Sequence, residues 1–163
     1  MIDYLISFFG IFSSTQNQLL IMFASAFLSA TILPGNSEIT FTAFASQLLM
    51  NESLAFSREI ITLLFIATLG NSLGSLTTYF MAKLIPPPHL TEKSKPSVKW
   101  ALFYSQKYGV WVLLFSWLPI VGDLFCGIAG WLRFNVLQTV CLISLGKAIR
   151  YLILLWSINA FLS

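Results

Sequence analysis

Two polar interruptions inside long apolar runs constrain this chain more than any other feature. The first is Leu33-Pro34-Gly35-Asn36-Ser37-Glu38; the second, Leu118-Pro119-Ile120-Val121-Gly122-Asp123, repeats the pattern Leu-Pro-x-x-x-acid about half a chain later. Proline cannot donate a backbone hydrogen bond and glycine adopts turns closed to other residues, so an apolar helix must stop at each break and start again. The expected outcome is two helical hairpins, with Pro34 and Gly35 at one tip and Pro119 and Gly122 at the other.

Composition decides what surrounds them. The chain is 57% hydrophobic and 9% charged, against about 25% charged in soluble domains. That predicts an all-α integral membrane protein, and 163 residues suit a single membrane domain spanning 1–163. The net charge of +3 is small and clustered, so it bears on orientation and gives no case for nucleic acid. Cys126 and Cys141 lie in apolar runs without CxxC spacing and read as buried packing residues. No cofactor or metal is expected.

Run lengths assign the segments. Residues 1–18 are apolar for about twelve positions, about 18 Å of helix against a hydrocarbon core of about 30 Å, and read as an interfacial helix. Each arm of 19–50 is likewise too short to cross alone, which suggests a re-entrant hairpin that enters and leaves on one side. One kinked span of about 30 residues is the competing reading. In either case non-helical backbone at that depth needs protein or a wet cavity around it, so Asn36, Ser37 and Glu38 belong to a protein-lined interior. The run 59–85 can cross. Its Ala67, Gly70, Gly74 and Thr78 share one face where another backbone can approach, and Asn71 and Ser75 beside that seam should point at the hairpins. An exposed seam of this kind would also suit a homodimer.

Residues 86–108 are the sustained hydrophilic stretch. Lys83, Lys93, Lys95, Lys99 and Lys107 face one Glu92 there, which predicts a cytoplasmic linker. Trp100, Phe103 and Tyr104 alternate with lysines as on an amphipathic surface helix. His89, among prolines, has no companion ligands nearby. A second, shorter re-entrant hairpin follows at 109–132, then a crossing run at 134–162. If 86–108 lies inside, the first hairpin dips from outside and the second rises from inside, so the tips face one another near the midplane.

Lys147 and Arg150 fall near the middle of the last run, on one helical face. Isolated cations there would cost at least about 2.5 kcal/mol each, so they should be matched, and Glu38 and Asp123 are the carboxylates placed to do it. The candidate binding residues are thus Glu38, Asp123, Lys147, Arg150, Asn36, Ser37 and Asn71.

The Leu-Pro-Gly-Asn-Ser-Glu run, Gly70-Asn71-Ser72-Leu73-Gly74, Ser116-Trp117-Leu118-Pro119-Ile120-Val121-Gly122-Asp123 and Leu145-Gly146-Lys147-Ala148-Ile149-Arg150-Tyr151 together resemble the YqaA branch of the DedA superfamily, the SNARE-associated or VTT-domain proteins. The resemblance covers roughly residues 19–155. It implies a multi-pass protein of the bacterial inner membrane with two facing re-entrant hairpins, acting on membrane lipids such as undecaprenyl phosphate or another anionic lipid, with proton linkage. It also implies arginines flanking the second proline and an acid before the first. Here Ser116 and Gly122 stand in the arginine places, and 19–33 carry no charge. Lys147 and Arg150 are then the cations left to hold an anion.

Three function classes follow. A carrier or scramblase of lipid phosphate is favoured by polar breaks at depth and balanced charge. A scaffold or envelope-assembly protein would use the same ion pairs only to hold its hairpins. An enzyme is disfavoured, since the chain has no histidine cluster, no Gly-x-Ser-x-Gly and no metal-ligand spacing.

Overall fold

The computed structural model describes residues 15–31, 37–51, 57–86, 96–119 and 121–162. Within them the chain is all-helical: α1 (Thr15–Ser29), α2 (Ser37–Asn51), α3 (Arg58–Leu84), α4 (Pro96–Tyr108), a 3-10 helix (Gly109–Trp117), α5 (Val121–Trp131) and α6 (Val136–Leu162). Residues 1–14 of the interfacial segment expected over 1–18, the tip residues Pro34, Gly35 and Asn36, and His89 lie outside the described residues.

α3 and α6, 27 residues each, are long and apolar enough to cross a bilayer. At 1.5 Å per residue each reaches about 40 Å. α3 ends where Ile85 turns extended, with φ −94° and ψ 131°, because the following Pro86 disfavours helix at the residue before it. Glu59 in its first turn and Lys83 in its last match the helix dipole. α6 starts on a side-chain cap, with the Leu137 amide donating to Asn135 Oδ1 at 3.0 Å. Asn71, one hydrogen bond from Tyr151, and Tyr79, which donates to the Phe134 carbonyl at 2.7 Å, set α3 and α6 antiparallel.

α1 and α2 form an antiparallel pair. Gln18 donates to Gln47 at 3.2 Å, Ser25 and Thr40 share a bond at 3.1 Å, and Ser29 donates to Ser37 at 3.0 Å. As one partner advances along α1 the other retreats along α2, which excludes the single kinked span. The helix also starts earlier than the apolar pattern suggests: α1 begins at Thr15, inside the polar stretch assigned to the interfacial segment.

The glycine seam explains how this pair docks. A methyl at Gly70 would lie 2.7 Å from the Phe23 carbonyl oxygen, and one at Gly74 would strike the Phe27 carbonyl. Thr78 continues the seam by donating to the Ala30 carbonyl at 3.0 Å, which satisfies a helix-end acceptor. The seam is thus covered by α1 of the same chain. It is not the exposed surface that would suit a homodimer.

The second hairpin has different arms. α4 ends at Gly109, whose φ of +60° suits glycine, and the chain continues as a nine-residue 3-10 helix. At about 2.0 Å per residue this arm spans about 18 Å. The return is tight: the Gly122 amide donates to the Leu118 carbonyl at 3.0 Å, and any side chain at Gly122 would strike the Ser116 carbonyl. α5 then closes in a Schellman arrangement, with Phe134 donating to Ala129 and Arg133 to Gly130, and Arg133 takes the left-handed position at φ 52°.

The hairpins occupy opposite ends of the α3/α6 pair. Gln18, Leu48 and Arg58 line one cavity at the open end of the first. At the open end of the second, Gly130 lies against Tyr79, Ala82 and Lys83. Ala30, after the first hairpin's outgoing arm, lies against Thr78, and Asp123, in the second hairpin's return arm, lies against Ser75, so the two hairpins approach the same level of α3.

Of the cysteines, Cys126 is buried as expected, whereas Cys141 is exposed on α6. An apolar pattern that runs all round a helix cannot tell its packed face from its outer one.

Candidate functional site

Both carboxylates sit in the first turn of a hairpin's second arm, Glu38 in α2 and Asp123 in α5. The free amides and partial positive charge of a helix start favour an acid at that position. Both are delivered to one turn of α6. Lys147 Nζ donates to Asp123 Oδ1 at 2.7 Å, and Arg150 donates to Glu38 Oε1 through Nε at 2.8 Å and also through Nη2. Lys147 and Arg150 are three residues apart on one helix, a rise of about 4.5 Å, so the four charges form one constellation.

The pairs differ in enclosure. Lys147 is 1% exposed and Asp123 32%; Arg150 is 13% exposed and Glu38 42%. Asp123 Oδ1 also accepts from Ser75 at 3.3 Å. Glu38 and Arg150 instead line a cavity of about 130 Å³ together with Trp117, Pro119, Ile153 and Leu154. With about 30 Å³ per water in the liquid, this is room for roughly four waters or one phosphate-sized group.

Between the pairs lies a buried polar bridge. Asn71 Nδ2 donates to the Tyr151 hydroxyl at 2.9 Å, and Ser37 also hydrogen-bonds that hydroxyl. Asn71 Oδ1 has no partner among the described residues. The bridge runs from Ser37, beside Glu38, through Tyr151 to Asn71; Ser75, which donates to Asp123, lies one turn further along α3.

Of the residues singled out from sequence, the structure brings together Ser37, Glu38, Asn71, Asp123, Lys147 and Arg150. It places Pro119 on the cavity wall and uses Gly122 for the turn behind it. Pro34, Gly35 and Asn36 are outside the described residues. Sequence reasoning missed Tyr151. It lies one turn beyond Lys147, and a phenol within an apolar run needs a partner for its hydroxyl. It also missed the ladder of Gln18, Ser25 and Ser29 facing Ser37, Thr40 and Gln47, whose small and amide side chains recur at helical spacing.

Among the described residues, fold and site define an all-helical protein with two helices long and apolar enough to cross a bilayer and two hairpins whose carboxylates pair with cations on one turn of α6. Its sequence is 40% identical to the inner membrane protein YqaA of Escherichia coli over 130 residues, 80% of this chain and 83% of that one, and it matches YqaA of Shigella flexneri to the same extent. An uncharacterized protein of Haemophilus influenzae is 49% identical over 156 residues, 96% of this chain and 97% of that one. The chain belongs to the YqaA family. No protein-family model and no solved structure matches it.

Proposed function

We propose that the chain is a DedA-like carrier or scramblase of the bacterial inner membrane that moves a lipid phosphate, such as undecaprenyl phosphate, or a related anionic lipid. The observation that carries this reading is the open Glu38–Arg150 pair beside a cavity that Pro119 of the second hairpin also lines. The relatives described as inner membrane proteins support the location. The short antiparallel arms support hairpins that are re-entrant, and Lys83, Lys99 and Lys107 at one end support a cytoplasmic 86–108.

In this mechanism an anionic headgroup enters the cavity and competes with Glu38 for Arg150. Glu38 takes up a proton as its partner leaves, which avoids an unpaired carboxylate at depth. Amides at the start of α2 offer further donors to the anion. Lys147–Asp123, held by Ser75, remains paired and keeps the second tip in place. Return of the proton to the opposite side frees Arg150 for Glu38 and releases the headgroup.

The test is transport of a labelled lipid phosphate in proteoliposomes with and without a pH gradient. Wild type is expected to move it faster with the gradient, and Glu38→Gln to lose the gradient's effect. Equal rates for protein-free and wild-type vesicles would refute the proposal. The Lys147–Asp123 pair, whose cation is almost wholly buried, favours a second reading, a scaffold. On that reading, neutral, well-packed replacement of Glu38 and Arg150 together leaves the cellular phenotype intact.

A further inference from the structure

A second, larger cavity of about 530 Å³ lies apart from the ion pairs. It runs from α4 along the 3-10 helix, and its walls are Trp100, Tyr104, Tyr108, Trp111, Phe115 and Leu118. The α4 rings form a ladder at four-residue spacing: Trp100 and Tyr104 have centroids 4.6 Å apart, and Tyr104 and Tyr108 stack at 5.9 Å. Trp100 also touches Phe125 of α5, 5.9 Å between centroids, which fixes α4 against the hairpin. Trp100, Tyr108, Trp111 and Phe115 are nonetheless exposed.

Its two ends differ in chemistry. Lys99 and Lys107 flank the aromatic ladder, with Lys107 Nζ 5.3 Å from the centre of the Tyr108 ring. Tyrosine and tryptophan beside lysine mark headgroup depth. The other end is Leu118, next to Trp117 and Pro119 of the Glu38–Arg150 cavity. Between them the 3-10 helix descends about 18 Å, more than half of a hydrocarbon core of about 30 Å.

We propose that this groove is a binding site for one anionic membrane lipid, its headgroup at Lys99 and Lys107 and one chain laid along the 3-10 helix toward Leu118. A second copy of the chain fits less well, because self-pairing on this face would set lysine-bearing helices against one another. Apolar lining by itself gives no preference, since the groove and the bilayer are equally apolar. Selection therefore comes from the headgroup, and each lysine near the surface contributes roughly fivefold. The proposal rests on the membrane reading above. It adds to the carrier reading a waiting position from which a lipid reaches the tips.

The full chain, purified and delipidated in detergent, is titrated with phosphatidylglycerol or phosphatidylcholine of matched chains, and bound lipid is counted by native mass spectrometry. Wild type is expected to hold one phosphatidylglycerol at least about tenfold more tightly than phosphatidylcholine. Lys107→Gln should lower that preference roughly fivefold, and as a surface change it keeps the test valid where Leu114→Trp, which fills the groove from Leu114 on its 3-10 wall, fails to fold. Folded Leu114→Trp should bind neither lipid. Equal binding of the two lipids, full binding by folded Leu114→Trp, or a dimer that excludes lipid would overturn the proposal. Arg150→Gln separates the two ideas: bound phosphatidylglycerol with transport lost keeps both. Lipid-phosphate transport by wild type with no selective binding rejects the groove alone, and selective binding with no transport by wild type rejects the carrier alone.

Discussion

The two hairpins bring a carboxylate to the same turn of α6 by different means. The first has two 15-residue α-helical arms zipped by a polar ladder, and it ends in a pair that faces a cavity. The second has a 3-10 arm, a turn that admits only glycine at position 122, and a pair whose cation is almost wholly enclosed. Enclosure sets what each pair can do. A cation without access to water must keep its counter-ion, whereas a half-open pair can exchange partners. Lys147–Asp123 thus reads as the fixed half of the constellation and Glu38–Arg150 as the exchangeable half.

The sharpest way to break this contrast is Lys147→Met. It strands Asp123 beside an apolar side chain, and loss of one partner of a buried pair costs about 3–5 kcal/mol. The lower end is expected, because Asp123 is one-third exposed. Thermal unfolding in detergent should show the loss, and adding Asp123→Asn should restore most of it, since Ser75 can still donate to the amide oxygen. A melt unchanged by Lys147→Met would make the second pair as dispensable as the first.

Next in size is Tyr151→Phe. It leaves the Asn71 amide nitrogen buried without an acceptor, which costs about 1–3 kcal/mol. The same unfolding measurement on Tyr151→Phe with Asn71→Leu should recover part of that, since both ends of the bond are then apolar. If the double variant is no more stable than Tyr151→Phe alone, the bridge does not couple α3 to α6.

The seam separates the hairpins at a smaller scale. Gly74→Ala pushes a methyl into the Phe27 carbonyl; overpacking of this kind costs about 1–3 kcal/mol, and the better helix propensity of alanine returns up to about 1 kcal/mol. A net loss of about 1 kcal/mol is expected. At Gly127 the added carbon would meet Thr78 at 3.9 Å, an ordinary contact, so Gly127→Ala should be neutral or slightly stabilising in the same melt.

Much of this was readable in the residues because each signal is local. The Leu-Pro breaks located both hairpins, since proline and glycine act on their own turn of backbone, and charge at mid-helix in α6 required the partners it has. The 3-10 form of Gly109–Trp117 was not readable: Val110 to Trp117 is apolar except for Ser116, with no local signal for tighter winding, and the segment packs against α5 and α6. Pairing was ambiguous for a related reason. Two acids and two cations allow either match, and the choice falls to which hairpin reaches which end of α6. Tyr151 escaped notice because its role depends on Asn71, 80 positions away in sequence.

A substitution with little expected effect on stability asks the finest question about the open pair. Arg150 directs both Nε and Nη2 at a single oxygen of Glu38, so charge and fork geometry act together. Arg150→Lys keeps the charge and gives up the planar fork, and with Glu38 42% exposed the stability cost should stay under about 1 kcal/mol. A headgroup phosphate accepts two parallel hydrogen bonds from guanidinium but meets ammonium as a point charge. If Arg150 serves to hold a phosphate, lipid-phosphate transport in proteoliposomes should fall well below wild type in Arg150→Lys while the melting temperature barely moves. If it serves only to hold the hairpin, lysine should do as well, and unchanged transport would assign this pair to the same structural role as Lys147–Asp123.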